Sequence, residues 1–317
     1  MAGIEILGTG RSKPEKVVTN DDLSKIVDTS DEWITTRTGI KQRYFCEDEK
    51  NKDLACAAAR KAIENSGIDT NEIGLLIVAT FTPDNASPSV SCMMQQELGL
   101  TNDVMTFDIN AACSGFLYSL ETARALLNQM KADGKSKKYA LVVGSEQIST
   151  RLDMEDRGSC VLFGDGAGAV VIGLSEEKQY FSVMGAEGNS EALGCTGPQS
   201  GKPKVYMDGK QVFKTAVRTM TSIVKDLLNR SQYTVDDLDW VVCHQANERI
   251  IDTVVRTLKA PEEKFFMNIA NYGNTSAASI PIAIAEMTEQ GKLKKGMKVM
   301  FVGFGSGFTW AGILVEI

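Results

Sequence analysis

The 317 residues contain one histidine, His244. Any mechanism that needs two imidazoles is therefore excluded, which removes most zinc hydrolases and every site built on a histidine pair. Imidazole acid–base chemistry near neutral pH falls to His244 if it occurs at all. No stretch approaches the ~18–20 consecutive apolar residues of a spanning helix, so membrane integration is not expected. The opening residues MAGIEILGTG read as strand and turn, without a basic-then-apolar leader. Seven cysteines include no CxxC pair and leave an odd one over, which argues against a zinc site and against a disulfide framework. A reducing, cytoplasmic setting without a metal is expected. Basic residues are in the minority, 34 against 41 acidic for a net charge of −7, which speaks against nucleic acid as a partner. Long charged tracts are missing too, and a 43% hydrophobic content excludes disorder.

What is present is an alternating α/β pattern. Short β-branched runs such as LLIVAT (75–80), ALVVG (140–144), AVVIGL (169–174), WVVCH (240–244) and VMFVG (299–303) suit strands covered by helices on both faces. Between them lie helical stretches. Residues 53–66 are Ala-rich and stop at Gly67, and Phe116, Leu117, Leu120, Ala123, Leu127 and Met130 recur at helical spacing. The two halves echo each other at a separation of roughly 160 residues. NEIGLLIVAT (71–80) resembles DDLDWVVCHQ (236–245), and FDINAACSG (107–115) resembles MNIANYGNTS (267–276). YALVVGSE (139–146) resembles KVMFVGFG (298–305), and GDGAGAVVIGL (164–174) resembles GSGFTWAGILV (305–315). Four matches in one order predict a duplicated core, with halves over 1–185 and 186–317 and a junction near 185–205.

Three residues sit where strands meet helices. Cys113, in DINAACSGF, faces the start of an amphipathic helix, whose partial positive charge favours thiolate. The other six cysteines read as ordinary core residues. His244 ends the strand WVVCH, at the strand end where α/β ligand sites concentrate, although a lone histidine equally suits a structural position. Asn274, in NYGNTSAAS, could offer amide donors to an oxyanion or enolate, or serve as a turn or cap residue. The glycine-rich GDGAG (164–168) and GFGSGFTWAG (303–312) precede strands, not helices, and so read as tight turns rather than nucleotide loops.

With those residues in view, the chain resembles the β-ketoacyl-(acyl-carrier-protein) synthase III family of condensing enzymes. The resemblance covers essentially the whole sequence. It rests on DEWITTRTGI (31–40), AACSGF (111–116), FGDGAGA (163–169), CHQAN (243–247), NYGNTSAAS (271–279) and GFGSGFTW (303–310). It implies a thiolase-like fold, two βαβαβαββ halves forming a layered α-β-α-β-α core. It also implies a decarboxylative condensation that initiates type II fatty acid synthesis. Cys113 would take a short acyl group from acyl-CoA, and the enolate of malonyl-acyl carrier protein would then attack that thioester. His244 and Asn274 would hold the enolate oxygen, while backbone N–H groups of Cys113 and Ser306 would form an oxyanion hole. Ser306 departs from the commoner glycine of that loop, but only its N–H is needed. The resemblance further assigns Thr29, Trp33, Arg37 and Arg151 to coenzyme A. Lys214 and Arg249 would dock the acidic carrier protein, although Lys214 also reads as a solvated helix residue. Ser87 would stand at the acyl pocket of a partner subunit, where a small side chain admits longer or branched primers. No cofactor is implied beyond acyl-CoA as substrate, and a homodimer is expected.

Other readings share these side chains. A polyketide- or quinolone-type starter synthase would use the same three residues. A Cys-His-Asn thioesterase would use His244 as base and Asn274 to orient its ring. A non-catalytic partner subunit of a condensing complex would be expected to lack Cys113.

Overall fold

The computed structural model describes residues 2–201 and 204–317. Lys202 and Pro203, within the expected junction near 185–205, lie outside the described residues.

Two five-stranded sheets carry the same internal pattern. In the first, Met105–Ile109 runs parallel to Ile73–Ala79, which runs parallel to Tyr139–Glu146; Gly166–Ser175 and Gly3–Ser12 follow antiparallel. In the second, Phe265–Phe266, Trp240–Cys243 and Lys298–Gly305 are parallel, and Gly307–Glu316 and Tyr180–Asn189 follow antiparallel. Every repeat seen in the sequence maps onto equivalent places in the two sheets. A fifth equivalence, Gly3–Ser12 with Tyr180–Asn189, has no sequence echo. The expected division after residue 185 runs through that last strand, and the sheets divide between Ser175 and Tyr180.

Burial explains the layering. One side of each sheet is sealed by the helices Gly115–Ala132 and Ser279–Glu289, whose Phe116, Leu120, Ile280 and Ile284 pack among Leu75, Val142, Phe301 and Ile313 in one cluster. The far side of the first sheet packs on Asn51–Ser66 and Val90–Glu97, through Ala55, Ala59 and Met94. Gly209–Ser231 and Glu248–Leu258 cover the second, through Met220, Ile223 and Val254. The result is the expected α-β-α-β-α stack. Each fully buried Leu, Ile or Val contributes about 1.5–3 kcal/mol. Strands buried on both faces need continuous apolar runs, which is why those runs were visible in the sequence.

Sheet closure also depends on small residues. A Cβ on Gly144 would stand 2.3 Å from the Ala277 carbonyl oxygen, so the strand Tyr139–Glu146 touches the turn Ser276–Ala278 backbone to backbone.

Candidate active site

Cys113 lies in a single turn, Ala112–Ser114, directly before the central helix Gly115–Ala132. The strand Lys298–Gly305 and the one after it hold that turn from the other half of the chain. Ser114 Oγ donates to the Thr309 carbonyl at 3.1 Å, and Thr309 Oγ1 donates to the Ala111 carbonyl at 2.9 Å. Gly305 backs onto the nucleophile itself, since a Cβ there would be 2.7 Å from the Cys113 backbone nitrogen.

His244 follows the strand Trp240–Cys243, and its N–H donates to the Val302 carbonyl at 2.7 Å. Its ring is buried, with Nδ1 2.7 Å from Ser279 Oγ. Burial lowers the imidazole pKa to about 3, so the ring is neutral. When the Ser279 hydroxyl donates to Nδ1, the ring hydrogen sits on Nε2 and is available as a donor.

Asn274 is placed by pairing with the first half. Its N–H donates to the Leu162 carbonyl at 2.8 Å, and its carbonyl accepts from Gly164 N–H at 3.0 Å. Arg43, fully buried, anchors this segment by donating to the Val161 carbonyl at 2.7 Å. The Ser276 N–H donates to Asn274 Oδ1 at 2.8 Å, which orients the amide and leaves Nδ2–H₂ as the free end. Two non-glycine residues here adopt left-handed backbone, Ala112 (φ 46°) and Ser276 (φ 49°). Such conformations cost about 1–3 kcal/mol each and cluster at sites where geometry is imposed.

All three residues line one cavity of about 810 Å³, together with Ser306, Phe81, Phe213 and Phe304. The Ser306 hydroxyl donates to the Leu193 carbonyl at 2.5 Å, so the side chain that departs from the commoner glycine is tied down. Apolar walls with the Cys113 thiol beside the neutral His244 ring and Asn274 amide suit a thioester.

Burial raises the Cys113 thiol to about 12, opposed by the nearby Ser276 hydroxyl. Burial thus works against the helix terminus that favours the thiolate. A helix terminus offers at most about 2 kcal/mol in the opposite direction, roughly a factor of 30.

Glu146, at the end of Tyr139–Glu146, is also buried near this thiol. Its Oε2 accepts from Thr82 Oγ1 at 2.6 Å, Thr80 Oγ1 at 3.1 Å and Phe81 N–H at 3.2 Å. Neither Glu146 nor Ser276 and Ser279 was singled out from the sequence. Both serines lie inside the quoted NYGNTSAAS, and Glu146 closes the run YALVVGSE, so only their pairing in space was hidden.

The remaining expectations scatter around the cavity mouth. Over the Trp33 ring stand Arg37 and Arg157, with guanidinium carbons 4.5 and 4.6 Å from its centre. Arg151, assigned with Trp33 and Arg37 to coenzyme A, lines the cavity near Cys195, while Arg157 joins Arg37 over the ring. Asn247, on the cavity wall, donates to the Arg37 carbonyl at 3.1 Å, which links the Trp33 group to the rim. Thr29 Oγ1 is buried without a hydrogen-bond partner. Lys214 and Arg249 are exposed, and Arg249 lies 5.9 Å over Phe213 of the cavity wall. Ser87 is exposed and does not line the cavity of its own chain. Among the described residues no group of three His, Cys, Asp or Glu is placed to hold a metal ion, and no helix is long and apolar enough to cross a membrane.

The neutral ring gives a direct expectation. In a proton NMR titration the single histidine should show no titration between roughly pH 5 and 8, although free imidazole titrates near 6.5. Titration of the native protein near 6.5 would contradict the burial described. Because the unfolded chain takes up this proton at higher pH than the native one, His244 removes stability as pH falls below about 6.5.

Residues 107–190 match the family described as 3-oxoacyl-[acyl-carrier-protein (ACP)] synthase III, and 228–317 match its C-terminal region. The chain is 47% identical to the beta-ketoacyl-[acyl-carrier-protein] synthase III of Clostridium acetobutylicum, over 100% of this chain and 99% of that one. It is 44% identical to the Neisseria meningitidis protein of that name, over 98% of both. The solved 3-oxoacyl-[acyl-carrier-protein] synthase III of Aquifex aeolicus VF5 superposes with a TM-score of 0.92 at 44% identity, covering 99% of this chain and 100% of that one. A priming beta-ketosynthase of the R1128 polyketide pathway superposes with a TM-score of 0.91 at 34% identity, covering 99% and 96%.

Proposed function

We infer that this chain, which belongs to the 3-oxoacyl-[acyl-carrier-protein] synthase III family, is the acyltransferase that condenses an acyl-CoA primer with malonyl-acyl carrier protein to begin fatty acid synthesis. The observation that carries this reading is the single apolar cavity in which a thiol meets two neutral hydrogen-bond donors from the other half of the chain.

The geometry supports the following roles. Cys113 attacks the primer thioester, and the backbone N–H groups of Cys113 and Ser306 receive the tetrahedral oxyanion. The acylated cysteine carries no charge, so the second substrate meets an uncharged pocket. Decarboxylation of the malonyl group puts negative charge on the thioester oxygen, and His244 Nε2–H and Asn274 Nδ2–H stabilise it. A neutral imidazole suits this task, because a strong acid there would surrender its proton rather than share it. Trp33 with Arg37 and Arg157, the buried Thr29 hydroxyl and Arg151 on the wall suit a purine nucleotide bearing phosphates. Lys214 and Arg249, exposed beside Phe213, offer positive charge to an acidic carrier protein.

A homodimer is supported by the strand Met105–Ile109, which forms the edge of the first sheet with an exposed Met105 and an open row of backbone groups. Ser87 would reach an acyl pocket only across such a contact. A thioesterase is disfavoured, because Ser279 rather than Asn274 orients the His244 ring. The polyketide-priming reading involves the same bond-forming step and differs in the primer.

Intact-mass analysis after incubation with a panel of acyl-CoAs tests the reading. One acyl group on Cys113, followed by a β-ketoacyl carrier protein once malonyl-carrier protein is added, is expected. A chain left unmodified across the panel would overturn it.

A further inference from the structure

His244 and Asn274 must keep a fixed separation if both are to meet one thioester oxygen, yet they reach the cavity on different segments. His244 follows the strand Trp240–Cys243, whereas Asn274 follows the short helix Ile269–Tyr272. The strand Phe265–Phe266 leads into that helix, and its backbone pairing with Trp240–Cys243 ends at Phe266, opposite Val242. Both donors therefore lie beyond the point where the two strands are zipped together.

Gln245, inside the quoted CHQAN, spans that gap. Its side chain is fully buried. Nε2 donates to the Cys243 carbonyl at 2.8 Å and to the Phe266 carbonyl at 3.3 Å. Oε1 accepts from the Asn268 N–H at 3.0 Å and the Ile269 N–H at 3.2 Å. Two N–H donors and two lone pairs are the whole capacity of a side-chain amide, so none is spare. The amide replaces a stretch of strand, with its donors on the last paired residues and its acceptor on the start of the helix. Asn268 provides no cap from its own side chain, whose amide turns instead to Glu286 at 2.8 Å. Without Gln245 the two N–H groups at this buried end would lose their acceptor, which is costly.

We propose that Gln245 is a positioning residue for the condensation step, its buried amide setting the separation of His244 and Asn274 so that both donors align on the malonyl thioester oxygen. The inference rests on the condensing-enzyme reading above. One end of the amide closes a loop around His244, back to the residue before it. The other end starts the helix that delivers Asn274. The Cys113 turn is held by different contacts, from Ser114 to Thr309 and from Thr309 to Ala111, so acyl transfer does not draw on Gln245.

Two half-reactions of the intact protein test this, acylation by the best acyl-CoA of the panel and carbon dioxide release from malonyl-carrier protein. Gln245→Leu keeps the approximate shape and removes all four hydrogen bonds. It should acylate close to the wild-type rate and release carbon dioxide about 10²-fold more slowly, as for groups displaced by ~1 Å. Gln245→Glu keeps an acceptor for the Asn268 and Ile269 N–H groups and loses the amide donors. Its decarboxylation should fall between those of wild type and Gln245→Leu, and it decides the matter if Gln245→Leu fails to fold. A purely structural role would lower both half-reactions together with the thermal midpoint. Equal losses in the two half-reactions, or unimpaired decarboxylation in the folded variant, overturn the positioning role alone. A wild-type protein that no acyl-CoA modifies overturns the functional reading, and the positioning role with it.

Discussion

Asn274→Ala is expected to leave acyl-enzyme formation intact and to slow malonyl decarboxylation by about 10²–10³-fold. The amide is fixed by the Ser276 N–H on Oδ1, so its only free donor is the Nδ2 end facing the cavity. Removing one oxyanion donor of this kind typically costs about 2.7–4 kcal/mol of transition-state stabilisation. Acyl transfer uses the thiol and backbone N–H groups instead, and should proceed. The measurement is a pair of half-reactions on one variant, acylation by intact mass and carbon dioxide release from malonyl-carrier protein. A variant that fails to acylate but decarboxylates normally would reverse the roles assigned here.

A comparable loss is expected from a change that removes no functional atom. In Gly305→Ala the new Cβ meets the Cys113 backbone nitrogen at 2.7 Å, with Cys113 Cα and Cβ at 3.2 Å. Backbone cannot swing aside as a long side chain can, so either the nucleophile turn or the strand Lys298–Gly305 must shift. Misplacement of a reacting group by ~1 Å can cost about 10² in rate. Acylation should fall by about that factor, with a smaller effect on the thermal midpoint. Gly188→Ala supplies the control, because a Cβ there meets nothing within 4 Å. Normal acylation in Gly305→Ala would show that the turn yields without disturbing the thiol.

Much of this was legible in the sequence because burial on both sheet faces writes itself as uninterrupted apolar runs. LLIVAT, WVVCH and VMFVG could hardly be anything but inner strands, and their echo exposed the duplication. Cys113, His244 and Asn274 were legible because each stands at a junction between element types. Their supports were not. Ser279 lies 35 residues from His244, and the turn Ser276–Ala278 meets the strand Tyr139–Glu146 because Gly144 lets one backbone press against another. Polar pairing across layers leaves no periodic trace. Arg157 over Trp33 was hidden for a similar reason, since sequence does not tell which guanidinium a loop will turn toward the ring. The burial that opposes the thiolate was hidden too, because a helix terminus can be read from a pattern, whereas the depth of the pocket around it cannot.

The contacts across the midline bear on how the chain comes to life on the ribosome. The turn carrying Cys113 is completed by strands synthesised long after it, Lys298–Gly305 and Gly307–Glu316. A nascent or C-terminally clipped chain can contain Cys113, His244 and Asn274 and still have no walls around the thiol. Such a fragment would not consume primers or trap carrier protein. Competence is thus withheld until the second half has been made and has joined the first.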